Sequence, residues 1–206
     1  MTIEPGKDGW RTALVIVVHP DDEIIWCGGL MLQNPGWEWS VLSLSRKDDP
    51  DRCPKFHRVC NLLGAKAYIS DLDDSSPPKP INWRREIATR VIECLAQDNW
   101  DLLITHGDNG EYGHQRHQEV HAEVLSLISK GILDCKELWT FAYDCDAETG
   151  ICKADPQADM IVNLSDAHLR EKRRIVQEVY GYRQNSFEVS ACISPEAFDK
   201  CELPQE

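Results

Sequence analysis

The chain has 206 residues, of which 42% are hydrophobic and 28% are charged. This balance is typical of an ordinary globular protein and excludes collagen, a coiled coil and a disordered acidic tail. The formal net charge at pH 7 is −13, and so acidic a surface disfavours nucleic-acid and anionic-lipid partners. The sequence contains no apolar run near the ~18 residues of a transmembrane helix, so no membrane span is expected.

The cysteines and the first residues predict the compartment. The nine cysteines are an odd number and include no CxxC pair. The first eleven residues carry charges and lack the apolar stretch of a signal peptide. We therefore expect a reducing, cytoplasmic location, with the cysteines present as free thiols and several of them buried.

Hydrophobic patterning predicts strands that alternate with helices. Residues 14–18 are an uninterrupted apolar run, Leu-Val-Ile-Val-Val, which indicates a strand covered on both faces. In chain order the predicted elements are strand 14–18, helix 21–32, strand 39–44, helix 54–63, strand 67–70, helix 83–96, strand 100–105, helix 114–128, strand 138–143, strand 160–163 and helix 165–180. Residues 71–80 and 144–157 are predicted to be irregular, and the tail after about residue 194 is predicted to be loosely ordered.

This alternation predicts the α/β fold class. We expect a single domain over residues 1–206, with an open, mostly parallel sheet and helices on both faces. In such folds the ligand crevice lies beyond the carboxyl ends of the strands. Polar residues that directly follow the apolar strands are therefore the first candidates for a functional site.

Two polar clusters occupy such positions. Residues 19–23, His-Pro-Asp-Asp-Glu, follow the first predicted strand, and residues 106–117 follow the fourth. Imidazole and carboxylate groups are ligands of catalytic Zn²⁺, which takes three from the protein and keeps one position for water. His114 and His117 are three residues apart and share a helix face that continues into the interior. If the two strands are neighbours, the clusters meet at one edge of the sheet and can form a metal site.

The same residues have structural interpretations. Asp21 or Asp22 can cap a helix, where negative charge is favourable, and a lone buried His117 can have its hydrogen bonds satisfied within the core. The chain is then a structural α/β domain, or alternatively a catalytically silent metal-containing protein that binds a sugar or an amide. The sequence contains no Gly-x-Ser-x-Gly elbow and no phosphate-binding glycine motif, so it does not support a serine hydrolase or a nucleotide-binding protein.

The two clusters together carry a family resemblance. The sequence from His19 to Glu23, followed by Gly28 and Gly29, resembles the first signature of the PIG-L/LmbE-like zinc-dependent N-acetylglucosaminyl deacetylases. Residues 110–117, Gly-Glu-Tyr-Gly-His-Gln-Arg-His, are similar to their second motif, and the order is the same. The resemblance implies a Rossmann-like fold and a metal-dependent hydrolase. Its expected activity is removal of the N-acetyl group from an N-acetylglucosamine-type sugar or conjugate.

The resemblance also implies a ligand set and a base. His19, Asp22 and His117 would bind Zn²⁺, with Fe²⁺ as the alternative cation in the cell. Asp21 would be the general base that activates the water held by the metal. The implied partner is a small-molecule N-acetylated sugar or glycoside, and the sequence is compatible with a homo-oligomer.

Four further roles follow from the resemblance. His114 would stabilise the transition state or protonate the leaving group, and Tyr112 would polarise the acetyl carbonyl. Arg52 corresponds to an arginine that holds the substrate. Asp73 corresponds to a contact with a sugar hydroxyl, but it equally fits a solvated acidic loop because it lies in the run Asp71-Leu72-Asp73-Asp74.

Overall fold

A computed structural model describes residues 11–75, 82–95, 99–146, 149 and 151–203. Within these residues the strands are β1 (Thr12–Val17), β2 (Glu38–Ser45), β3 (Lys66–Leu72), β4 (Asn99–Thr105), β5 (Asp134–Phe141), β6 (Tyr143–Asp146), β7 (Ile151–Ala154), β8 (Met160–Val162) and β9 (Glu196–Cys201). The helices are α1 (Asp22–Gln33), α2 (Arg52–Leu62), α3 (Trp83–Cys94), α4 (Gly110–Gly113), α5 (Gln115–Ser129), α6 (Asp166–Ile175), which continues as a π-helical turn (Val176–Tyr180), and α7 (Phe187–Ala191).

Several predictions fall at least partly beyond this description. The N-terminal segment 1–10, expected not to be a signal peptide, lies outside the described residues, as do residues 76–80 of the first predicted loop, residue 96 of the predicted helix 83–96, residues 147, 148 and 150 of the second irregular region and residues 204–206 of the tail. Among the helices that are described, none is long and apolar enough to cross a bilayer.

Seven strands form one sheet in the order β3-β2-β1-β4-β5-β9-β8. The first five strands in this order are parallel, and β9 pairs antiparallel with both β5 and β8. The predicted α/β class with a mostly parallel sheet is confirmed. The chain proceeds from β1 outward to β3 and then returns to place β4 on the other side of β1. The crevice of such a sheet opens at this reversal of strand order, beyond the carboxyl ends of β1 and β4.

Both faces of the sheet are covered, which explains the uninterrupted apolar run of the first strand. On one face Ala13 and Val15 belong to a core cluster shared with α1, α2 and α6. On the other face Leu14 and Ile16 pack in a cluster shared with α3 and α5. Because side chains alternate between the faces of a strand, burial of both faces requires apolar residues at every position.

The region after residue 194 is a correction to the prediction. It forms β9, which lies inside the sheet between β5 and β8, and Phe198 at its centre is fully buried. The strand was missed because its sequence, Glu-Ala-Phe-Asp-Lys-Cys, is short and largely polar. Its first residue, Glu196, is also fully buried because it has protein partners for its charge.

The expectation of free thiols is wrong for two of the nine cysteines. Cys145 and Cys152 form a disulfide, and the other seven are free. The two residues face each other across the hairpin β6–β7, in a region that the sequence predicts to be irregular. Their separation of seven residues carries no pairing signal until the hairpin brings them together.

Candidate functional site

The two polar clusters meet at the edge of the sheet where β1 and β4 end. These strands are direct neighbours, so the residues that follow them emerge side by side. The backbone N–H of Val18 donates to Nε2 of His106 at 3.0 Å. His19 Nδ1 lies 3.2 Å from His117 Nε2, although 98 residues separate the two histidines along the chain.

Three side-chain atoms form a compact triangle that fits a metal ion. His19 Nδ1 is 3.2 Å from both Asp22 Oδ2 and His117 Nε2, and the third side, from Asp22 Oδ2 to His117 Nε2, is 3.4 Å. Ligands at the usual distance from a tetrahedral Zn²⁺ are spaced by roughly 3.3 Å. The three atoms therefore have the spacing of one face of such a tetrahedron. His114 and His106 extend the cluster, each forming a further potential ligand group that includes His117.

The electrostatics of this triangle favour positive charge. Burial by itself disfavours a charged imidazole, but hydrogen bonds to Asp22 and Asp74 raise the pKa of His19 to about 10. Burial would likewise raise the pKa of Asp22, yet the histidines around it hold that pKa well below its usual range. A cation bound at His19 Nδ1 would replace the proton that the carboxylates otherwise retain there.

Glu111 contacts two histidines of the cluster, and it was not identified from the sequence. Its Oε2 lies 2.5 Å from Nδ1 of His117 and 3.0 Å from Nδ1 of His106. Since His106 Nε2 accepts the backbone N–H of Val18, its Nδ1 carries the hydrogen that Glu111 accepts. Bonding at His117 Nδ1 leaves His117 Nε2 to face the triangle, which is how carboxylates orient metal-bound histidines.

The chemical state of Glu111 is set by these histidines. Burial alone would raise its pKa, but His106 and His117 lower it to about 2, so the side chain is a carboxylate. Its backbone has φ +59, in the left-handed region that non-glycine residues rarely occupy. The available sequence signal was weak, because Glu111 is one of two acidic residues in the second cluster, the other being Asp108.

Asp21 lies beside the triangle, with its carboxylate held by two side chains. Arg52 Nη1 donates to Asp21 Oδ2 at 2.9 Å, and the hydroxyl of Tyr182 donates to the same oxygen. Burial and the neighbouring charge of Asp22 raise the pKa of Asp21 to about 7. The side chain of Asp21 makes no capping hydrogen bond to helix α1, so the structural alternative for this residue fails.

The backbone of Asp21 is fixed by a second pair of side chains. Its N–H donates to Glu23 Oε2 at 2.9 Å, and the hydroxyl of Tyr180 donates to Glu23 Oε1 at 2.6 Å. These contacts support a strained backbone, because φ at Asp21 is +130. Tyr180 and Tyr182 thus connect the end of the π-helical turn to both the backbone and the side chain of Asp21.

A cavity of about 260 Å³ opens over this constellation. The sequence-predicted residues on its wall are His19, Asp21, Asp22, Arg52, Tyr112 and His114. His117 is fully buried behind the wall. Tyr182 and Phe187 also line the cavity; sequence reasoning missed both because they come from the distant C-terminal third of the chain.

Asp73 does not line this cavity. It lines an adjoining one of about 350 Å³, and its backbone carbonyl accepts a hydrogen bond from Arg116. The next residue, Asp74, lies on the wall of both cavities, as does Arg46. The acidic run continues past the end of β3 at Leu72, and of its last two aspartates only Asp74 lines the first cavity. The sequence alone could not show which of the two lies at the first cavity.

Tyr112 and His114 lie on the cavity wall close to the histidines of the triangle. The ring of His114 is 5.0 Å from that of His19, and the ring of Tyr112 is 5.4 Å from that of His117. Burial, together with the nearby His117 and His19, lowers the pKa of His114 to about 4, so its imidazole is neutral near pH 7. Its Nδ1 is buried without a hydrogen-bond partner among the described residues. Burial raises the pKa of Tyr112, whose hydroxyl therefore keeps its proton.

The sequence model of the family described as GlcNAc-PI de-N-acetylase, PIG-L, matches residues 14–128, more than half of the chain. The chain belongs to the PIG-L family. The PIG-L span contains both polar clusters, from His19 to His117. Tyr180 and Tyr182, which contact Glu23 and Asp21, lie beyond this span.

Two curated relatives show how far the likeness extends. An uncharacterized protein, L374, of Acanthamoeba polyphaga mimivirus is 25% identical over 194 residues, covering 86% of this chain and 79% of the relative. The 1D-myo-inositol 2-acetamido-2-deoxy-alpha-D-glucopyranoside deacetylase of Corynebacterium diphtheriae is 22% identical over 174 residues. That alignment covers 68% of this chain but only 59% of the deacetylase.

Solved structures share the fold at low identity. The 4-carboxy-2-hydroxymuconate hydratase GalB of Pseudomonas putida has a TM-score of 0.65 and 12% identity, over 95% of this chain and 98% of its own. A conserved protein of Thermus thermophilus has a TM-score of 0.62 and 14% identity, over 95% of this chain and 97% of its own. The A40926 pseudoaglycone deacetylase Dbv21 has a TM-score of 0.60 and 12% identity, over 92% of this chain and 95% of its own. Because a hydratase and a deacetylase share this fold, the fold alone does not identify the reaction of this chain.

Proposed function

We propose that this protein is a metal-dependent hydrolase that removes the N-acetyl group from an N-acetylglucosamine-type sugar or conjugate. The observation that carries the proposal is the triangle of His19, Asp22 and His117 beside a cavity that also contains Asp21. Membership of the PIG-L family supports it. So do the names of two similar proteins, a glucosaminide deacetylase and a pseudoaglycone deacetylase.

The residues that would hold the metal are those of the triangle, and the ion is Zn²⁺ or Fe²⁺. Both cations accept a mixed set of imidazole and carboxylate ligands. When bound, such an ion polarises a carbonyl oxygen and lowers the pKa of a water molecule to about 7. Glu111 keeps His117 Nε2 directed at the ion.

Asp21 is the general base in this proposal. As the water oxygen forms its bond to the acetyl carbon, one of the two carboxylate oxygens of Asp21 takes one proton from that water. The C–N bond then breaks, and the same proton passes to the departing nitrogen, giving acetate and the free amine. Arg52 and Tyr182 hold the carboxylate in place for both transfers. A pKa raised to about 7 suits a group that must both take and return a proton.

Tyr112 and His114 stabilise the negative charge that develops on the carbonyl oxygen. The hydroxyl of Tyr112 keeps its proton and donates a hydrogen bond to that oxygen. The neutral imidazole of His114 carries one N–H, and this group donates either to the same oxygen or to the leaving nitrogen. Both side chains lie on the cavity wall facing the space where the acetyl group would bind.

The proposal is tested by measuring acetate release from a panel of N-acetylated sugars with the zinc-loaded protein. Asp21→Asn should lower kcat by 10²–10⁴-fold, the usual contribution of a positioned base, while zinc content stays the same. Asp51→Asn is the matched control, because Asp51 is exposed, pairs with Lys55 and does not line the cavity. Equal rates for Asp21→Asn and the wild type would exclude Asp21 as the base. Tight binding of sugars without acetate would instead favour the catalytically silent binding protein.

A further inference from the structure

The two ring nitrogens of His19 face different partners. Nδ1 points into the triangle, 3.2 Å from Asp22 Oδ2 and from His117 Nε2. Nε2 points away and lies 3.1 Å from Oδ2 of Asp74. A metal-bound imidazole uses the lone pair of one nitrogen and carries its hydrogen on the other. The hydrogen of a metal-bound His19 is therefore on Nε2, directed at Asp74.

Asp74 reaches His19 from two strands away. It follows β3, and β2 lies between β3 and β1 in the sheet. Arg46, the residue after β2, bridges this distance because its Nη2 lies 2.9 Å from the same Oδ2 of Asp74. Arg46 has φ +69, a conformation that a non-glycine residue adopts at a cost of about 1–3 kcal/mol. The strained backbone places its guanidinium against Asp74 at the boundary of the two cavities.

We propose that Asp74 is a positioning residue of the metal centre, which accepts the Nε2–H of His19 and so directs Nδ1 at the cation, with Arg46 holding the Asp74 carboxylate. The arrangement matches that of Glu111 and His117 on the other side of the triangle. Each histidine then has one nitrogen for the ion and a carboxylate on the opposite nitrogen. This role differs from the sugar contact that the resemblance implies for Asp73, and it rests on the proposed metal-dependent function.

Zinc affinity, measured by competition with a chromophoric chelator, tests the proposal directly. Asp74→Ala should weaken zinc binding by about 10–100-fold, the usual effect of removing a carboxylate that orients a metal-bound histidine. Asp74→Asn should weaken it less, because the amide oxygen still accepts the Nε2–H. Asp48→Asn is the control, since Asp48 is exposed, lines the same second cavity and should leave the affinity unchanged.

Nuclear magnetic resonance of the zinc-loaded protein provides a readout that does not depend on activity. The His19 Nε2–H should exchange slowly with solvent in the wild type and rapidly in Asp74→Ala. Unchanged exchange in Asp74→Ala would overturn the proposal. It would also be overturned if Asp74→Ala raised KM while zinc affinity stayed at the wild-type value, since that result makes Asp74 a substrate contact. A wild-type protein that binds no zinc would refute the proposed function itself, and this inference with it.

Discussion

Helix α1 is contacted by buried carboxylates at two places, which differ in how the negative charge is neutralised. In the middle of the helix, Glu196 pairs with Lys172 at 2.6 Å, and neither side chain is exposed. At the start of the helix, Asp21 pairs with Arg52 at 2.9 Å, and the Arg52 side chain is 30% exposed. The first pair is closed to everything but protein. The second borders the cavity, as the proton transfers that we propose for Asp21 require.

The carboxylate of this enclosed pair also binds the backbone of α1. The two oxygens of Glu196 accept the N–H groups of Gly29 and Leu30, each at 2.7 Å. The carbonyl of Trp26, which lies four residues before Leu30 in the helix, accepts the hydroxyl of Tyr143 at 2.7 Å. A buried carboxylate that binds two helix N–H groups and a lysine in this way has a structural role. The carboxylate of Asp21 borders the cavity instead.

The largest effect on stability is expected from Lys172→Met. It leaves the charge of Glu196 buried without its cation, which typically costs about 3–5 kcal/mol in the free energy of unfolding. Under the proposed function, the turnover of the molecules that remain folded should be unchanged, because Lys172 does not line the cavity beside the triangle. Urea denaturation measures the first quantity, and acetate release below the transition measures the second.

Lys136→Met is the matched control for this ion pair. Lys136 pairs with Asp101 at 2.7 Å, but its side chain is 74% exposed, so its loss should cost no more than about 1 kcal/mol. Equal destabilisation by the two substitutions would show that burial does not distinguish the Lys172 pair from a surface pair.

A smaller loss of stability, about 1–3 kcal/mol, is expected from Gly29→Ala. A Cβ at Gly29 would collide with the side chain of Leu164 and would lie 2.8 Å from Oε1 of Glu196. Gly36→Ala is the control, because a Cβ there meets no atom within 4 Å. Thermal unfolding should separate the two variants, while zinc affinity should be the same in both. Loss of zinc with intact stability in Gly29→Ala would assign this glycine to the metal centre.

The role of Gly29 could not be predicted from the sequence. Gly28 and Gly29 are part of the first motif, and the motif suggests the chemical site. The structure instead shows that Gly29 allows a carboxylate 167 positions along the chain to approach α1. No local pattern predicts such a contact, because it depends on the placement of β9, a short strand whose polar sequence resembles a tail.

The site shows the same division between local and distant information. The apolar strands and the two polar clusters that follow them were sufficient to predict the crevice, and the family resemblance named the potential ligands. Their meeting required only that β1 and β4 be neighbours, as the common strand order of such sheets provides. Glu111 and Asp74 were missed, because acidic residues in loops are usually solvated, and only tertiary structure identifies a carboxylate that faces a histidine.

The smallest effect is expected at Tyr182, which lines the cavity and donates a hydrogen bond to Asp21. Tyr182→Phe removes the hydroxyl that donates to Asp21 but keeps the ring, whose centre is 4.8 Å from the guanidinium carbon of Arg52. A hydrogen bond to a charged group contributes roughly 1.5 kcal/mol at the low end, so kcat should fall about 10-fold with KM and zinc content unchanged. Tyr68→Phe is a control on β3, away from the cavity. If Tyr182→Phe left kcat unchanged, Arg52 alone would suffice to hold Asp21. Asp21 would then depend on a single cationic side chain, as Glu196 does, and would differ from Glu196 in bordering the cavity.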